Sequence, residues 1–367
     1  MVKISPENNS PAEHRTPPYA DVLMARIIRE LKKLSGILRP FRVVAFRSYG
    51  CDDTAVICGR VIENLEIHPP QKEDSWWRNL QNMLRVFLRA RAEKAVLTAS
   101  IDGELIPITT DEIGYFWVEF TLQKKLEGPG WIDVDYQLEP LGDYVRIKNQ
   151  HGRCLSLPST SPSSAGIISD IDDTILTTYA TDLLMSAKMT FINNSTTRIA
   201  IEGMAELYKT IVRQSPLLSP VFYITSSSWS LYDLISDFLN LQDFPDGPLL
   251  MQKIGMTNNK LIRKGHNHKT QKIETILRIT KNQSFYLFGD NGQADREIYY
   301  DIASRFSDRI SAVCIRVARE KARHYSADYQ SLGIPYFEFE NGSSLHKQFI
   351  EDGMLLQSGH KQHGDIG

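Results

Sequence analysis

GIISDIDDTIL, residues 166–176, begins with an apolar run typical of a buried strand and continues with a cluster of carboxylates. The run is the first of several short apolar segments that alternate with amphipathic, helix-type segments in the second half of the chain. These apolar segments are 166–169, 221–224, 248–251, 284–288 and 310–317. Such alternation predicts an α/β fold with a doubly wound parallel sheet, in which the active site lies at the carboxyl ends of the strands.

Asp170 and Asp172 directly follow the first apolar run and stand two residues apart. In this position the first carboxylate could attack phosphorus and form an aspartyl-phosphate. The second could protonate the leaving oxygen and then activate the water that hydrolyses the intermediate. An acidic strand-end turn or a helix cap gives the same spacing, so the pair alone leaves both interpretations open. Asp173 is assigned no chemistry.

Three later features favour phosphoryl chemistry. Thr225 ends the second apolar run, where its hydroxyl could hold a phosphoryl oxygen or cap the helix that follows. Lys269 is expected to open a helix, where the helix dipole disfavours a cation, so it would face a phosphate unless it is a solvated surface lysine. Asp290 and Asp295 lie in a turn after another apolar run, and with Asp170 they could supply hard oxygen ligands for magnesium.

The first half of the chain follows a different pattern. Residues 1–20 are polar and proline-rich and predict a flexible arm, while 21–39 have helical apolar spacing and Pro40 is expected to end that helix. Five β-type runs follow, with one helix expected between them at about 74–92. These runs are 41–47, 54–62, 94–102, 115–122 and 131–138. Strands without alternating helices predict a smaller, mostly-β antiparallel sandwich.

A Ser/Pro-rich stretch at 156–166 predicts a linker. With the linker bounded as 151–166, the predicted domains are 21–150 and 167–367. The composition is that of a globular protein and excludes collagen-like, disordered and disulfide-scaffold classes. No apolar run approaches the roughly 20 residues that span a bilayer. The chain has no CxxC pair and no cleavable signal pattern, so we expect a cytoplasmic protein.

The order of these motifs along the chain resembles that of the haloacid-dehalogenase superfamily of phosphohydrolases. The acid at Asp172 favours phosphomonoester hydrolysis, because ATPases of that superfamily usually carry Thr there and the dehalogenases lack the acid. The intervals between Thr174, Thr225 and Lys269 leave no room for a large cap domain. The site is therefore expected to be open to a phosphate carried on something large.

A closer resemblance is to the actin-patch-associated phosphatidate phosphatase family, in its bacterial form. In the second half it is carried by ISDIDDTIL at 168–176, ITSSSWSLYDLI at 224–235 and FGDNGQADREIY at 288–299. In the first half it is carried by VVAFRSYG, GRVIEN, DSWWRNLQNMLRVF and TTDEIGYFWVEF. The resemblance implies magnesium-dependent hydrolysis of phosphatidate to diacylglycerol and phosphate through an aspartyl-phosphate.

The resemblance also implies roles for individual residues. Asp170 would be the nucleophile and a metal ligand. Asp172 would be the general acid and base, with its main-chain carbonyl on the metal. Thr225 and Lys269 would hold and neutralise the transferring phosphoryl group.

Three further residues receive roles from the same resemblance, and two nearby histidines receive none. Asp290 would complete the metal shell, with Asp295 binding the metal directly or orienting its ligands. Arg198 stands where family members often carry arginine and could meet the substrate phosphate, with a structural salt bridge as the alternative. His266 and His268 are interpreted as loop residues, since magnesium does not favour imidazole.

A phosphatidate-containing membrane surface is the partner that this resemblance implies. The net charge of −2 conceals two basic segments, 21–39 and 71–92, each with five basic and two acidic side chains. Ser75-Trp76-Trp77 and the arginines that follow fit an interfacial helix, although the tryptophans could instead pack on the sandwich. We therefore expect peripheral membrane binding, no nucleic-acid partner and, without the Pro-rich tail of fungal members, no SH3-type partner.

Two other functions stay open at this point. A phosphatase of the same mechanism could act on a phosphoprotein or on a nucleic-acid end. A non-catalytic protein could bind a lipid headgroup, but such a module has no need of the general acid at Asp172.

Overall fold

The computed structural model describes residues 19–65, 88–157, 159, 165–176, 200–214, 218–252, 261–292, 294–318 and 326–355. Three predictions fall mostly or wholly outside these residues. They are the arm at 1–20, except its last two residues, most of the helix at about 74–92, and Arg198. The described residues form two β-sheets that pack on a common hydrophobic core.

The first sheet has eight strands in the order β1-β3-β2-β8-β7-β4-β5, with β6 paired to β3. The strands are β1 (Phe41–Ala45), β2 (Ser48–Cys51), β3 (Thr54–Glu63), β4 (Val96–Ile101), β5 (Glu104–Thr109), β6 (Tyr115–Thr121), β7 (Gly130–Leu138) and β8 (Asn149–Ser156). All pairs are antiparallel except β2 with β8, which is parallel. The prediction that this half is entirely antiparallel is therefore wrong, because β8, formed partly by residues assigned to the linker, pairs in parallel with β2 and makes the sheet mixed.

β3 is buried on both faces because it separates two clusters of apolar side chains. Ala55, Ile57 and Val61 belong to the core of the first sheet. Val56 and Cys58, which alternate with them, belong to the core of the second sheet. Successive side chains of a strand point to opposite faces, so this one strand serves both cores.

The second sheet has six parallel strands in the order β11-β10-β9-β12-β13-β14. They are β9 (Gly166–Asp170), β10 (Val221–Ser228), β11 (Leu249–Gln252), β12 (Phe285–Asp290), β13 (Ile310–Arg316) and β14 (Tyr336–Phe339). The parallel sheet and the α/β class are confirmed. The chain moves outward from β9 to β11 and then returns to the other side of β9 at β12. Ligands bind beyond the carboxyl ends of strands at such a reversal.

Seven helices lie among the described residues. They are α1 (Tyr19–Leu34), α2 (Met204–Arg213), α3 (Tyr232–Leu241), α4 (Leu261–Ile279), α5 (Asp295–Arg305), α6 (Ser326–Ser331) and α7 (Gly342–Glu351). None of these helices combines the length and the apolarity that crossing a bilayer requires.

α1 confirms the helix predicted at 21–39, but it ends before Pro40. Gly36 adopts a left-handed conformation with φ of 66°, and the amide of Ile37 donates to the carbonyl of Lys32. This glycine-based stop satisfies the last carbonyls of the helix, so Leu34 is its final residue.

Residues 88–92 are not helical, although they fall within the second helix predicted in this half. Arg91 forms an isolated bridge with Ile62 of β3. Arg89 is buried, and its Nη1 lies 3.4 Å from Oδ2 of Asp233 on α3. This arginine is therefore unavailable to a membrane, because it links the first sheet to the second.

Aromatic side chains join the two sheets beside the carboxyl end of β10. The ring of Trp229 stacks on Phe46 with centroids 4.5 Å apart, and it lies edge-on to Trp117 at 6.1 Å. Nζ of Lys272 on α4 lies 4.8 Å from the Trp117 ring and 5.2 Å from the Trp229 ring. The first sheet thus packs directly against the end of the second sheet where its strands terminate.

Candidate active site

Asp170 is the last residue of β9 and is fully buried at the centre of the parallel sheet. The chain then turns sharply, because the amides of Thr174, Ile175 and Leu176 all lie within hydrogen-bonding distance of the carbonyl of Ile171. The turn brings Asp172 back over the strand ends. An apolar β-strand followed by this compact turn explains why two acids so close in sequence share one site.

Thr225 and Asp172 are in direct contact. Oγ1 of Thr225 donates a hydrogen bond of 2.7 Å to Oδ2 of Asp172 and accepts one of 2.9 Å from the amide of Ser227. Thr225 lies within β10, three residues before its end. It is not the helix cap, because Ser228 accepts from the amide of Ser230 at the start of the short 3-10 turn before α3.

Lys269 is buried between two carboxylates. Its Nζ lies 2.7 Å from Oδ1 of Asp170 and 2.6 Å from Oδ1 of Asp295. The solvated alternative is therefore wrong. The prediction that Lys269 opens its helix is also wrong, since α4 begins at Leu261, eight residues earlier. Burial disfavours the ammonium form, but the two neighbouring carboxylates outweigh it and raise the pKa of Lys269.

Asp290 and Asp295 complete a cluster of three carboxylates with Asp170. Asp290 ends β12, next to β9, and Asp295 is the first residue of α5. One oxygen from each of the three side chains lies within 4.8 Å of the others, and all three side chains are buried. The amide of Asp290 also donates to Oδ2 of Asp295 over 3.3 Å, which fixes the two acids relative to each other.

The cluster is rich in carboxyl groups, since Asp170, Asp290 and Asp295 lie together and the ammonium group of Lys269 contacts two of them. Burial and mutual repulsion raise the pKa of Asp170 well above its usual range and that of Asp290 to about 7. Oδ2 of Asp170 is buried without a hydrogen-bond donor among the described residues. Buried carboxylates with excess charge and an unoccupied oxygen fit a hard divalent cation such as magnesium, which Asp170, Asp290 and Asp295 would hold.

Asp172 has a different environment from the three clustered acids. Its side chain is partly exposed and hydrogen-bonded to Thr225. Burial raises the pKa of its carboxyl group, while the Thr225 hydroxyl acts in the opposite direction. A carboxyl group that retains its proton more readily than usual, at the edge of the site, can serve as an acid.

Two residues that support the site are not identified from the sequence. A Cβ at Gly289 would lie 2.7 Å from the Tyr299 ring and 2.8 Å from Cβ of Asp295, so only glycine lets α5 approach β12 this closely. Nη1 of Arg316 donates a hydrogen bond of 2.9 Å to the carbonyl of Asp173 and holds the turn after β9. Arg316 is the last residue of β13 and lies near the end of the apolar run 310–317, so its place at a strand end is the signal that could have identified it.

His266 and His268 lie on α4 and not in a loop, which corrects the prediction. His268 is buried, and burial together with Lys272 and Lys269 lowers the pKa of its imidazole to about 2. It is therefore neutral, and its proximity to Lys269 does not add positive charge to the site.

Comparison with known proteins finds similarity over the part of the chain that contains this arrangement. Residues 165–317 match the family described as "Phosphatidate phosphatase APP1, catalytic domain". A stretch of 158 residues is 33% identical to phosphatidate phosphatase APP1 of Saccharomyces cerevisiae, covering 42% of this chain and 26% of the yeast protein. A stretch of 161 residues is 25% identical to an uncharacterized protein of Schizosaccharomyces pombe, covering 44% of this chain and 26% of that protein. The chain thus matches about a quarter of the length of these relatives.

Among solved structures, a carbohydrate acetylesterase from Xanthomonas citri aligns with 82% of this chain and 70% of its own, at 10% identity. Its TM-score of 0.28 is too low to support any structural argument. The family match is of another kind, since it spans the chain from β9 to β13 and contains Asp170, Lys269, Asp290 and Asp295. Residues 165–317 are therefore similar to the catalytic domain of the phosphatidate phosphatase APP1 family.

Proposed function

We propose that this protein is a phosphatidate phosphatase that depends on magnesium and releases diacylglycerol and phosphate through an aspartyl-phosphate. One observation carries the proposal: a buried carboxylate, Asp170, contacts the ammonium group of Lys269 and lies within 4.8 Å of oxygens of two further carboxylates, Asp290 and Asp295. This supports Asp170 as a nucleophile beside both a cation that could bind phosphate and a pair of acids that could bind a metal. The family match for residues 165–317 supports phosphatidate as the substrate.

In the first step, an oxygen of Asp170 attacks phosphorus and the bond to the diacylglycerol oxygen breaks. Asp172 gives its proton to that leaving oxygen, and its raised pKa favours the protonated form that this requires. Nζ of Lys269 stays within hydrogen-bonding distance of Asp170 and stabilises the negative charge of the phosphoryl oxygens.

In the second step, water attacks the phosphorus of the aspartyl-phosphate and restores the Asp170 carboxylate. Asp172 is now deprotonated and takes a proton from this water. The Thr225 hydroxyl donates to Asp172 and keeps it oriented while it is charged. Magnesium held by Asp170, Asp290 and Asp295 would offset the negative charge that a phosphate adds to this acidic cluster.

The same proposal covers the superfamily and the location of the protein. The strand order with Asp170 and Asp290 at the reversal supports a haloacid-dehalogenase-like catalytic domain. A lipid substrate implies that the enzyme works at a membrane surface, and we propose a cytoplasmic protein that binds this surface peripherally.

The proposal is tested by measuring phosphate release from phosphatidate, a phosphopeptide and a 5′-phosphorylated oligonucleotide, each with magnesium and with a chelator. We expect release from phosphatidate that the chelator abolishes. Turnover of only the peptide or the oligonucleotide would retain the mechanism and refute the lipid substrate. Vesicle binding without turnover of any substrate would favour a headgroup-binding protein.

Matched variants test the residue roles. We expect Asp170→Asn and Asp172→Asn each to lower kcat by at least about a thousandfold, with circular dichroism and melting close to wild type. Asp173→Asn is the control, because asparagine tolerates the left-handed φ of 55° found there. Activity retained in Asp170→Asn would exclude the covalent mechanism.

A further inference from the structure

The most concentrated exposed apolar surface among the described residues lies on α1 and the turn that follows it. Seven of the twelve exposed large apolar side chains fall between residues 19 and 37. Four of them, Leu23, Ile27, Leu31 and Leu34, have the spacing of one helix face, and we call them the α1 stripe. Leu31 is 61% exposed and Leu34 85% exposed, so the stripe is not part of either core.

Ion pairs turn the polar side of α1 toward the protein and leave the stripe facing away from it. Lys32 pairs with Glu63, which is fully buried at the end of β3. Nε of Arg26 donates a hydrogen bond of 2.8 Å to Oε2 of Glu93. These contacts fix the rotation of α1, so the stripe stays presented to the surroundings.

Positive charge borders the stripe. The exposed cations on or next to α1 are Arg26, Lys33, Arg39 and Lys94, and Glu30 is an exposed carboxylate of the same helix. Arg26 is paired with Glu93 and Lys33 with Asp143, which leaves Arg39 and Lys94 outside the ion pairs of the described residues. An apolar stripe with a cationic border is complementary to a bilayer with anionic headgroups.

α1 lies at the same end of the molecule as the catalytic carboxylates, as β3 shows. Asp52, just before β3, binds Lys281, which precedes β12 at the amino ends of the parallel strands. Arg60, later in β3, donates a hydrogen bond of 3.3 Å to the carbonyl of Trp229, which lies just beyond the carboxyl end of β10. Glu63 follows Arg60 by three residues, about 10 Å of strand. The helix bound to Glu63 is therefore at the end where Asp170 lies.

We propose that the α1 stripe inserts into the interface of an anionic bilayer and so holds the catalytic end against the membrane. This inference rests on the proposed function, because a lipid substrate must be drawn from the bilayer that α1 contacts. The stripe supplies apolar contact, the bordering cations meet the headgroups, and the carboxyl ends of the parallel strands lie at the same end of the molecule.

The test uses the full chain with the double variant Ile27→Glu/Leu31→Glu. Binding is measured by sedimentation with vesicles of phosphatidylcholine alone and of phosphatidylcholine with phosphatidylserine, an anionic lipid that is not the substrate. We expect wild type to bind the anionic vesicles and the variant to bind them roughly tenfold more weakly or worse. Leu105→Glu/Leu241→Glu, which changes two exposed leucines on β5 and α3, is expected to bind like wild type.

Activity is measured in parallel on phosphatidate in vesicles and on a short-chain phosphatidate dissolved as monomers. We expect the activity of the α1 variant on vesicles to fall roughly tenfold and its activity on monomers to equal that of wild type. A variant that fails on both is misfolded, and Leu34→Glu at the end of the helix then provides the decisive comparison.

Three results overturn the proposal. The first is vesicle binding by the α1 variants that equals wild type. The second is a wild-type dimer that these variants convert to monomer without vesicle binding, which makes the stripe an interface between copies. The third is the absence of wild-type binding to anionic vesicles. Failure of the proposed function gives a different result from failure of this inference. It appears as absence of turnover of monomeric phosphatidate by the wild type, whether or not the wild type binds vesicles.

Discussion

At the residue scale, the site depends on one ammonium group held between two buried carboxylates. Nζ of Lys269 contacts Asp170 and Asp295, which stand at the ends of different elements. Removing one partner of a buried charge pair leaves the other charge uncompensated in a medium of low polarity. We therefore expect Lys269 to stabilise the folded protein, in addition to the role proposed for it at the phosphoryl group.

We expect Lys269→Met to lower kcat by at least about a hundredfold and to reduce the free energy of unfolding by about 3 kcal/mol without magnesium. Magnesium should restore more stability to this variant than to wild type, because more negative charge is left to neutralise. Denaturant unfolding with magnesium and with a chelator measures both effects. Lys209→Met, on the surface of α2, is the control, and an equal response of the two variants would contradict the argument.

The acidic cluster also gives the metal-free protein a characteristic pH dependence. Burial raises the pKa of Asp290 from its ordinary value of 3.8 to about 7, so the folded state holds a proton that the unfolded state releases. Stability should then fall as pH rises between about 4 and 7, by up to about 4 kcal/mol for this group.

Magnesium should reverse this loss above pH 7, because the deprotonated carboxylates are its ligands. The measurement is the free energy of unfolding at about pH 5 and pH 8, with a chelator and with magnesium. Asp290→Asn should remove much of the pH dependence in the chelator. A metal-free wild type whose stability rises over this interval would refute the explanation.

At the element scale, the acids of the candidate site can be predicted because they follow apolar runs that become buried strands. Asp170 and Asp290 end β9 and β12, and parallel strands bring their carboxyl ends to one edge of the sheet. The contact of Thr225 with Asp172 needs the turn after β9, which backbone hydrogen bonds determine. No periodicity in the sequence reports that turn.

Other elements depend on tertiary contacts that override local preference. α4 begins at Leu261 although Gly265 and Asn267, both poor helix formers, precede Lys269. β8 contains few β-branched residues and forms a strand because β2 and β7 pair with its two edges. These two elements explain why the start of the lysine helix and the parallel pair in the first sheet could not be predicted.

The close approach of α5 to β12 predicts the effect of Gly289→Ala. The added methyl group would overlap the Tyr299 ring and the side chain of Asp295, so α5 must shift and move one of the three clustered carboxylates. We expect a loss of about 1–3 kcal/mol in stability and weaker magnesium binding, measured by unfolding and by calorimetry.

Gly128→Ala is the control for that substitution. Gly128 has a φ of 63° but open space around its Cβ position, so the change costs about 1 kcal/mol of backbone strain and leaves magnesium binding intact. Equal magnesium affinities in the two variants would show that the Gly289 contact does not position Asp295.

At the scale of the whole molecule, we expect the two sheets to unfold together, because contacts join them at both ends of the parallel strands. Trp229, Phe46 and Trp117 join them at the carboxyl ends, beside the candidate site. Asp52 joins them at the amino ends, through Lys281. The first sheet therefore supports the site from the side, and its removal would expose aromatic surface next to the site.

Asp52 provides a measurement of this connection far from the catalytic residues. Burial alone would raise the pKa of its carboxyl group, but hydrogen bonds from Ser159 and Lys281 outweigh burial and lower it to about 2. The carboxylate therefore contributes about 2 kcal/mol of stability, fully present above pH 4 and lost as pH falls toward about 2.

Asp52→Asn should remove this contribution while keeping the backbone, since asparagine tolerates the left-handed φ of 52°. We expect a deficit of about 2 kcal/mol at pH 7 that shrinks toward about pH 3, together with unchanged activity below the melting temperature. Asp133→Asn, on the exposed face of β7, should show neither effect. If Asp52→Asn instead separates unfolding into two transitions, the contact of Asp52 with Lys281 is what makes the two sheets unfold together. If the loss of unfolding free energy in this variant is independent of pH, the ionised carboxylate is not the stabilising group.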